Sequence, residues 1–198
     1  MPKKKQGTFI VFYGVNNLGK STQAAMLVDE LKKEGKNAEY LKYPIYDLKP
    51  SGPIINSYLR EGNPYNLTPT EIQTLYAFNR TQYEPELIEK LKTGITIVAE
   101  DYTGTGLAWG AGSGVHPELL REINSHLIVE DIPLLFTGTR FAAGIEHNHV
   151  HEQDDGLAEK VNIIHKRLAK ERGWHIIEAN RSRMTIHEEI LSIVKKHT

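Results

Sequence analysis

Between Gly14 and Ser21 the chain reads Gly-Val-Asn-Asn-Leu-Gly-Lys-Ser, which fits the pattern G-x-x-x-x-G-K-[ST]. At average glycine usage this pattern arises by chance in about one chain of this length in a hundred, and its flanks narrow it further. Before it, Thr8 to Tyr13 is a short β-branched and aromatic run with the character of a buried strand. After it, Lys20 to Glu34 carries Ala24, Leu27, Val28 and Leu31 at helical spacing, and Gly35 is placed to stop the helix. A strand, a glycine-rich turn and a helix in that order form a cradle for phosphate. The glycines let the backbone wrap so that its N–H groups point inward, and the helix N-terminus adds positive potential. The expected phosphate-binding set is Gly14, Asn16, Asn17, Leu18, Gly19, Lys20, Ser21 and Thr22. Within it, Lys20 reaches the β- and γ-phosphates of a nucleoside triphosphate, and Ser21 ligates Mg²⁺.

Length and charge set the outer limits. The 198 residues are 39% hydrophobic and 25% charged, enough for one well-buried core and little more, so residues 1–198 are expected to form a single domain. The 24 Lys and Arg against 25 Asp and Glu give a formal charge of -1, so no global basic field points to nucleic acid or an anionic membrane. Any anion must be gripped locally. With no cysteine, thiolate metal sites, disulfides and cysteine nucleophiles are excluded, and the composition suits a reducing compartment. Residues 1–7 read as a flexible basic tail without the apolar core of a signal peptide. No stretch approaches the roughly 18 apolar residues of a membrane span, and a cytoplasmic location is expected.

The remaining elements alternate. Asn37 to Leu41 reads as a strand, Ile54 to Gly62 as a short helix, and Thr68-Pro69-Thr70-Glu71 as the capped start of a long helix. Ile95 to Ala99 is a second buried strand, followed by two acids and a glycine-rich stretch read as loop. Leu134 to Thr137, Gly156 to Arg172, Trp174 to Glu178 and Thr185 to Lys196 then read as strand, helix, strand, helix. This alternation predicts an α/β fold, a three-layer α/β/α sandwich with a central parallel β-sheet. Residues 144–156 are polar, acidic and histidine-rich, and are expected to be a lid-like surface loop.

From Thr8 onward the chain resembles the thymidylate kinase family of P-loop nucleoside-monophosphate kinases, which transfer a phosphoryl group from ATP to dTMP. The residues that carry the resemblance follow the phosphate-binding loop in order: Tyr43-Pro44 after the second strand, Thr74 to Phe78 leading into Asn79-Arg80, and Gly94 to Tyr102 with Thr105 and Leu107 to Gly110 behind it. The resemblance implies ATP and Mg²⁺ as cofactors, nucleotide substrates and a homodimer. It implies that Tyr76 stacks on the acceptor base, that Arg80 hydrogen-bonds its exocyclic oxygen, and that Trp109 closes a pocket shared with Tyr43 and Tyr102. It also implies that Glu100 sits beside Mg²⁺ and that Ala179-Asn180-Arg181-Ser182 lies against adenine. Catalytic roles then fall to Lys20, Glu100 and Arg140, the last supplying a lid charge. Apart from the resemblance, Glu100 and Asp101 end a buried parallel strand at a crevice, where two adjacent acids are costly unless a metal or a donor uses them, so Asp101 also reads as a catalytic acid of the site, a general base if the acceptor carries no phosphate. Taken without the resemblance, Tyr76 also reads as a core aromatic beside Ile72 and Leu75. Arg80 also reads as the i,i+4 partner of Glu84 on a solvated face.

The chain departs from the family pattern at the acceptor. Glu100-Asp101-Tyr102 stands where the family has Asp-Arg-Tyr, Ile45-Tyr46 where it has an acid and an arginine, and Asn16 where it has an acid. The stretch from Glu146 to Asp155 has no arginine and instead carries His147, His149 and His151, which read as solvated residues, as a protonated phosphate-touching lid, or as metal ligands. Phosphoryl transfer is chiefly positioning and charge neutralisation. The missing arginines therefore leave two further readings open: a nucleoside kinase with an unphosphorylated acceptor, and a nucleotide-binding relative without turnover.

Overall fold

A computed structural model describes residues 7–141 and 155–197. Five parallel strands form one sheet in the order β2-β3-β1-β4-β5, with β1 at Phe9–Tyr13, β2 at Ala38–Lys42, β3 at Thr96–Glu100, β4 at Ile132–Thr137 and β5 at His175–Glu178. Every residue of β1 and β3 is buried, whereas edge strand β2 alternates. That difference follows from position: a central parallel strand is covered on both faces, and an edge strand is not.

The helices are α1 (Lys20–Lys33), α2 (Ser51–Arg60), α3 (Pro69–Lys92), α4 (Thr103–Gly112), α5 (Pro117–Glu122), α6 (Asp155–Arg172) and α7 (Arg183–His197). The crossover from β1 runs towards β2, and those from β2, β3 and β4 run the other way, so right-handed connections place α1 on one face and α3, α4 and α6 on the opposite one. The packing agrees. Helix α1 lies on β1 to β3 with α7 beside it, while α4 is wedged between α3 and α6, with α2 on α3 and α5 on α4. This is the three-layer sandwich expected from the alternation.

Helix α3 starts as its sequence dictates. Thr68 Oγ1 accepts from the Glu71 N–H, Glu71 accepts from the Thr68 N–H, and Pro69 occupies the first turn. One expectation fails: the glycine-rich stretch after β3 is helix α4, not loop. Its glycines are sites of close approach. A Cβ at Gly104 would stand 2.4 Å from the Trp174 ring, and one at Gly110 would stand 2.5 Å from Leu120. The residues that make these helices touch also make them look like a loop in sequence.

Candidate active site

The carboxyl ends of β1, β2 and β3 open into a cavity of about 530 Å³. Connections from neighbouring strands leave here for opposite faces of the sheet, which is where open α/β sheets bind ligands. At one end lies the glycine-rich turn. Gly14 sits at φ 130° with no room for a side chain, since a Cβ would stand 2.6 Å from the Phe136 carbonyl oxygen. Asn17 and Gly19 also have positive φ, so the loop folds back over the start of α1. Gly19 is the N-cap of α1 and the first turn holds no acid, leaving the helix N-terminus for an anion. Lys20 is 5% exposed and donates to the Gly14 and Val15 carbonyls at 3.0 and 2.9 Å.

The end of β3 brings the acids. Glu100 pairs in register with Phe12 on one side and Lys42 on the other, and is 1% exposed. Its Oε2 accepts from Ser21 Oγ at 3.2 Å and its Oε1 from the Tyr40 phenol, whose own proton is held more tightly by burial and by the Glu100 charge. Asp101 turns the chain at φ 62°, accepts from Thr105 Oγ1 at 3.2 Å, and lies 3.8 Å from Lys20 Nζ. Burial pushes its carboxyl above the usual range; Lys20 and Lys42 oppose that rise and Glu100 adds to it.

Helix α3 and the loop after β2 make the other end. Asn79 pins that loop: its Oδ1 accepts from the Ile45 N–H at 2.8 Å, and its Nδ2 donates to the Ile45 carbonyl at 3.0 Å and to Ser51 Oγ at 2.8 Å. Arg80 turns inward and is 3% exposed. Nε donates to Asn124 Oδ1 at 3.1 Å and Nη1 to the Tyr102 carbonyl at 3.5 Å, while Nη2 has no hydrogen-bond partner among the described residues. The solvated pairing with Glu84 does not form. Glu84 instead accepts from the Tyr102 phenol at 3.2 Å and the Ile128 N–H at 2.6 Å.

Of the residues singled out from sequence, Asn16, Asn17, Gly19, Lys20, Ser21, Thr22, Tyr43, Tyr76, Arg80, Glu100, Asp101 and Trp109 line this cavity together. Gly14 lies behind it and Leu18 is in the core. Tyr102 is fully buried, packed edge-on against Phe9 with ring centroids 5.0 Å apart, and does not line the cavity. Arg140 is not a lining residue, though Phe141 is, tied to the glycine-rich loop by its N–H on the Asn17 carbonyl at 2.8 Å. Arg181 is exposed beyond β5, donating to the Glu178 carbonyl at 3.1 Å and paired with Glu189. His147, His149 and His151 lie outside the described residues. No cluster of three or more His, Asp or Glu side chains able to hold a metal exists among the described residues.

Sequence reasoning missed Lys42, Arg60 and Gln73 and gave Tyr46 only as a departure from the family pattern; all four line the cavity. The Arg60 guanidinium lies 4.7 Å over the Tyr46 ring and donates to Asn56 Oδ1 at 2.7 Å. Tyr46 occupies the position where an arginine was expected, and a cation from α2 stands beside it. No local pattern announces such a contact, because the two residues meet only when α2 folds onto the loop.

A parallel sheet with a glycine-rich loop after its first strand, acids at the end of β3 and a second, aromatic end of the same cavity fit the P-loop nucleoside-monophosphate kinase class of fold. The thymidylate kinase family model matches residues 12–190, and the chain belongs to that family. It is 29% identical to the thymidylate kinase of Plasmodium falciparum, with 98% of this chain and 92% of that one covered. It is 30% identical to that of Dictyostelium discoideum, with 96% and 85% covered. Among solved structures it superposes on the thymidylate kinase of Candida albicans with a TM-score of 0.79 at 19% identity, covering 96% of this chain and 92% of that one. No described helix is long and apolar enough to cross a membrane.

Proposed function

We propose that the protein transfers the γ-phosphoryl group of ATP to dTMP, giving dTDP and ADP, by direct in-line displacement. The observation that carries this reading is the shared cavity: Lys20, Ser21 and Glu100 at one end and Tyr76, Trp109 and Arg80 at the other, with space between for two phosphate chains. The triphosphate lies on the loop from Gly14 to Thr22, with the N–H groups of the first α1 turn and Lys20 against its oxygens. Lys20 leaves the Gly14 and Val15 carbonyls to reach them.

Ser21 and Glu100 suit Mg²⁺, since two hard oxygen donors 3.2 Å apart leave the remaining positions to water and phosphate, the usual arrangement for this ion. When bound, the metal neutralises charge on the β- and γ-oxygens. Tyr40 and Ser21 hold the Glu100 carboxylate from both sides and so fix its direction. At the acceptor, Tyr76 and Trp109 flank the base and Arg80 Nη2 donates to its exocyclic oxygen. Lys42 and Arg60 face the acceptor phosphate in place of the arginines absent at Tyr46 and Asp101. The same reading places Asp101 beside Lys20 as the group that orients the ammonium before ATP binds, and places the enzyme in the cytoplasm.

A coupled ATP-consumption screen over nucleoside monophosphates and nucleosides tests the reading. Turnover with dTMP and not with thymidine is expected. Turnover with thymidine alone would make it a nucleoside kinase, and turnover with neither would make it a nucleotide-binding relative.

A further inference from the structure

Besides the buried Tyr43 hydroxyl, two buried polar atoms on the α3 wall of the cavity have no partner among the described residues. One is Arg80 Nη2, described above; the other is Oε1 of Gln73, a side chain only 3% exposed. A buried amide without hydrogen bonds costs about 1 to 3 kcal/mol, and an apolar residue at the same place in α3 would avoid that cost. Gln73, Tyr76 and Arg80 fall at i, i+3 and i+7 of α3, on one helix face, and all three line the cavity. Both polar side chains rest on bare turns of α4: a Cβ at Gly106 would stand 2.6 Å from Arg80 Nη2, and one at Gly110 would stand 3.1 Å from Gln73 Cγ. Those two glycines are one helical turn apart, a rise of about 6 Å, so the two side chains cross adjacent turns of α4.

We infer that Gln73 is a specificity-determining residue that reads the base beside Arg80, its amide oxygen accepting N3–H while Arg80 donates to the adjacent carbonyl oxygen of a 2,4-dioxopyrimidine. The inference rests on the thymidylate reading of the acceptor site. Arg80 has donors only, so it fixes the polarity of the edge: a 4-aminopyrimidine turns a donor towards a donor and offers Gln73 no proton at N3. Stacking on Tyr76 holds the base in the plane in which both atoms reach it.

The experiment compares dTMP and dCMP as acceptors for the wild type, Gln73→Met and Gln73→Glu, with folding checked by thermal melts. Met keeps length and packing and removes the acceptor; Glu keeps an acceptor at the same reach. Gln73→Met is expected to raise KM for dTMP about 2- to 12-fold, the range for loss of one such hydrogen bond. Its kcat should change less than about twofold, and its preference for dTMP over dCMP should narrow. Gln73→Glu retains the preference. A folded Gln73→Met enzyme with wild-type KM and preference, or a Gln73→Glu enzyme that loses the preference equally, overturns the inference and leaves the thymidylate reading standing. A wild type that does not turn over dTMP overturns both.

Discussion

Gly106 is where the acceptor pocket is most sensitive to a single added carbon. A Cβ there would stand 2.6 Å from Arg80 Nη2, 3.3 Å from Cζ and 3.4 Å from Nη1. Ordinary contact begins near 3.5 Å, so in Gly106→Ala the guanidinium must retreat by about 1 Å. Its Nε bond to Asn124, 3.1 Å long, cannot survive that movement, and a hydrogen bond of a charged donor is worth about 1.5 to 3 kcal/mol. Alanine for glycine inside α4 returns about 1 kcal/mol of helix propensity. The net effect on folding is therefore about 1 kcal/mol destabilising, a fall in Tm of about 2 to 4 °C for a chain of this size. The effect on binding is larger, because Nη2 is carried away from the base: a loss of about 1.5 to 3 kcal/mol corresponds to a 10- to 100-fold rise in KM for dTMP. KM for ATP, bound at the far end of the cavity, stays put. Steady-state kinetics with each substrate varied in turn, beside a thermal melt, read both numbers. A folded Gly106→Ala enzyme with an unchanged KM for dTMP would refute the assignment of Arg80 to the base.

Three other expectations follow from the same geometry. Lys20→Ala removes the cation proposed to face the transferred phosphate and should reduce turnover about a hundred- to a thousandfold, the scale of such electrostatic contributions; coupled ADP release measures it, and wild-type activity would contradict the phosphate-loop assignment. Arg60→Met should raise KM for dTMP about tenfold or more through loss of a charged contact and leave KM for ATP alone, whereas an unchanged KM for dTMP would remove Arg60 from the phosphate site. His165 is fully buried with neither ring nitrogen bonded to a described residue, and burial holds its pKa down to about 3. The folded value lies below the unfolded one near 6.5, so its contribution to stability is complete above about pH 6.5 and is lost as pH falls towards 3. At about pH 5 the loss is about 2 kcal/mol, and urea unfolding of His165→Leu against the wild type should show a shallower pH dependence by that amount. Parallel pH profiles would mean that His165 is not held neutral in the folded protein.

The glycine-rich end of the cavity was legible in the sequence because its information is local. Gly14 to Ser21 is one turn between one strand and one helix, and its glycines stand where the backbone takes positive φ. The sheet was legible for the same kind of reason, as the apolar runs of β1, β3 and β4 declare burial on both faces. Helix α4 was hidden because Gly104, Gly106, Gly110 and Gly112 suppress helical periodicity while serving as contact points for Trp174, Arg80, Leu120 and Val161. Lys42 and Arg60 were hidden because one ends an edge strand and the other ends α2, and only the folded chain brings them to the same cavity. Read along the chain, the motif positions expected to hold the acceptor phosphate lack arginine. In three dimensions a lysine and an arginine from other elements line the cavity together with Arg80.

The central claim is that one cavity joins a triphosphate to a phosphorylated pyrimidine deoxynucleoside. Its most direct test is to incubate the purified protein with ATP, Mg²⁺ and either dTMP or thymidine, and to separate the nucleotide products by chromatography. From dTMP, dTDP is expected in equal amount to ADP, and from thymidine no dTMP. ADP release without dTDP, or phosphorylation of thymidine instead, would contradict the claim.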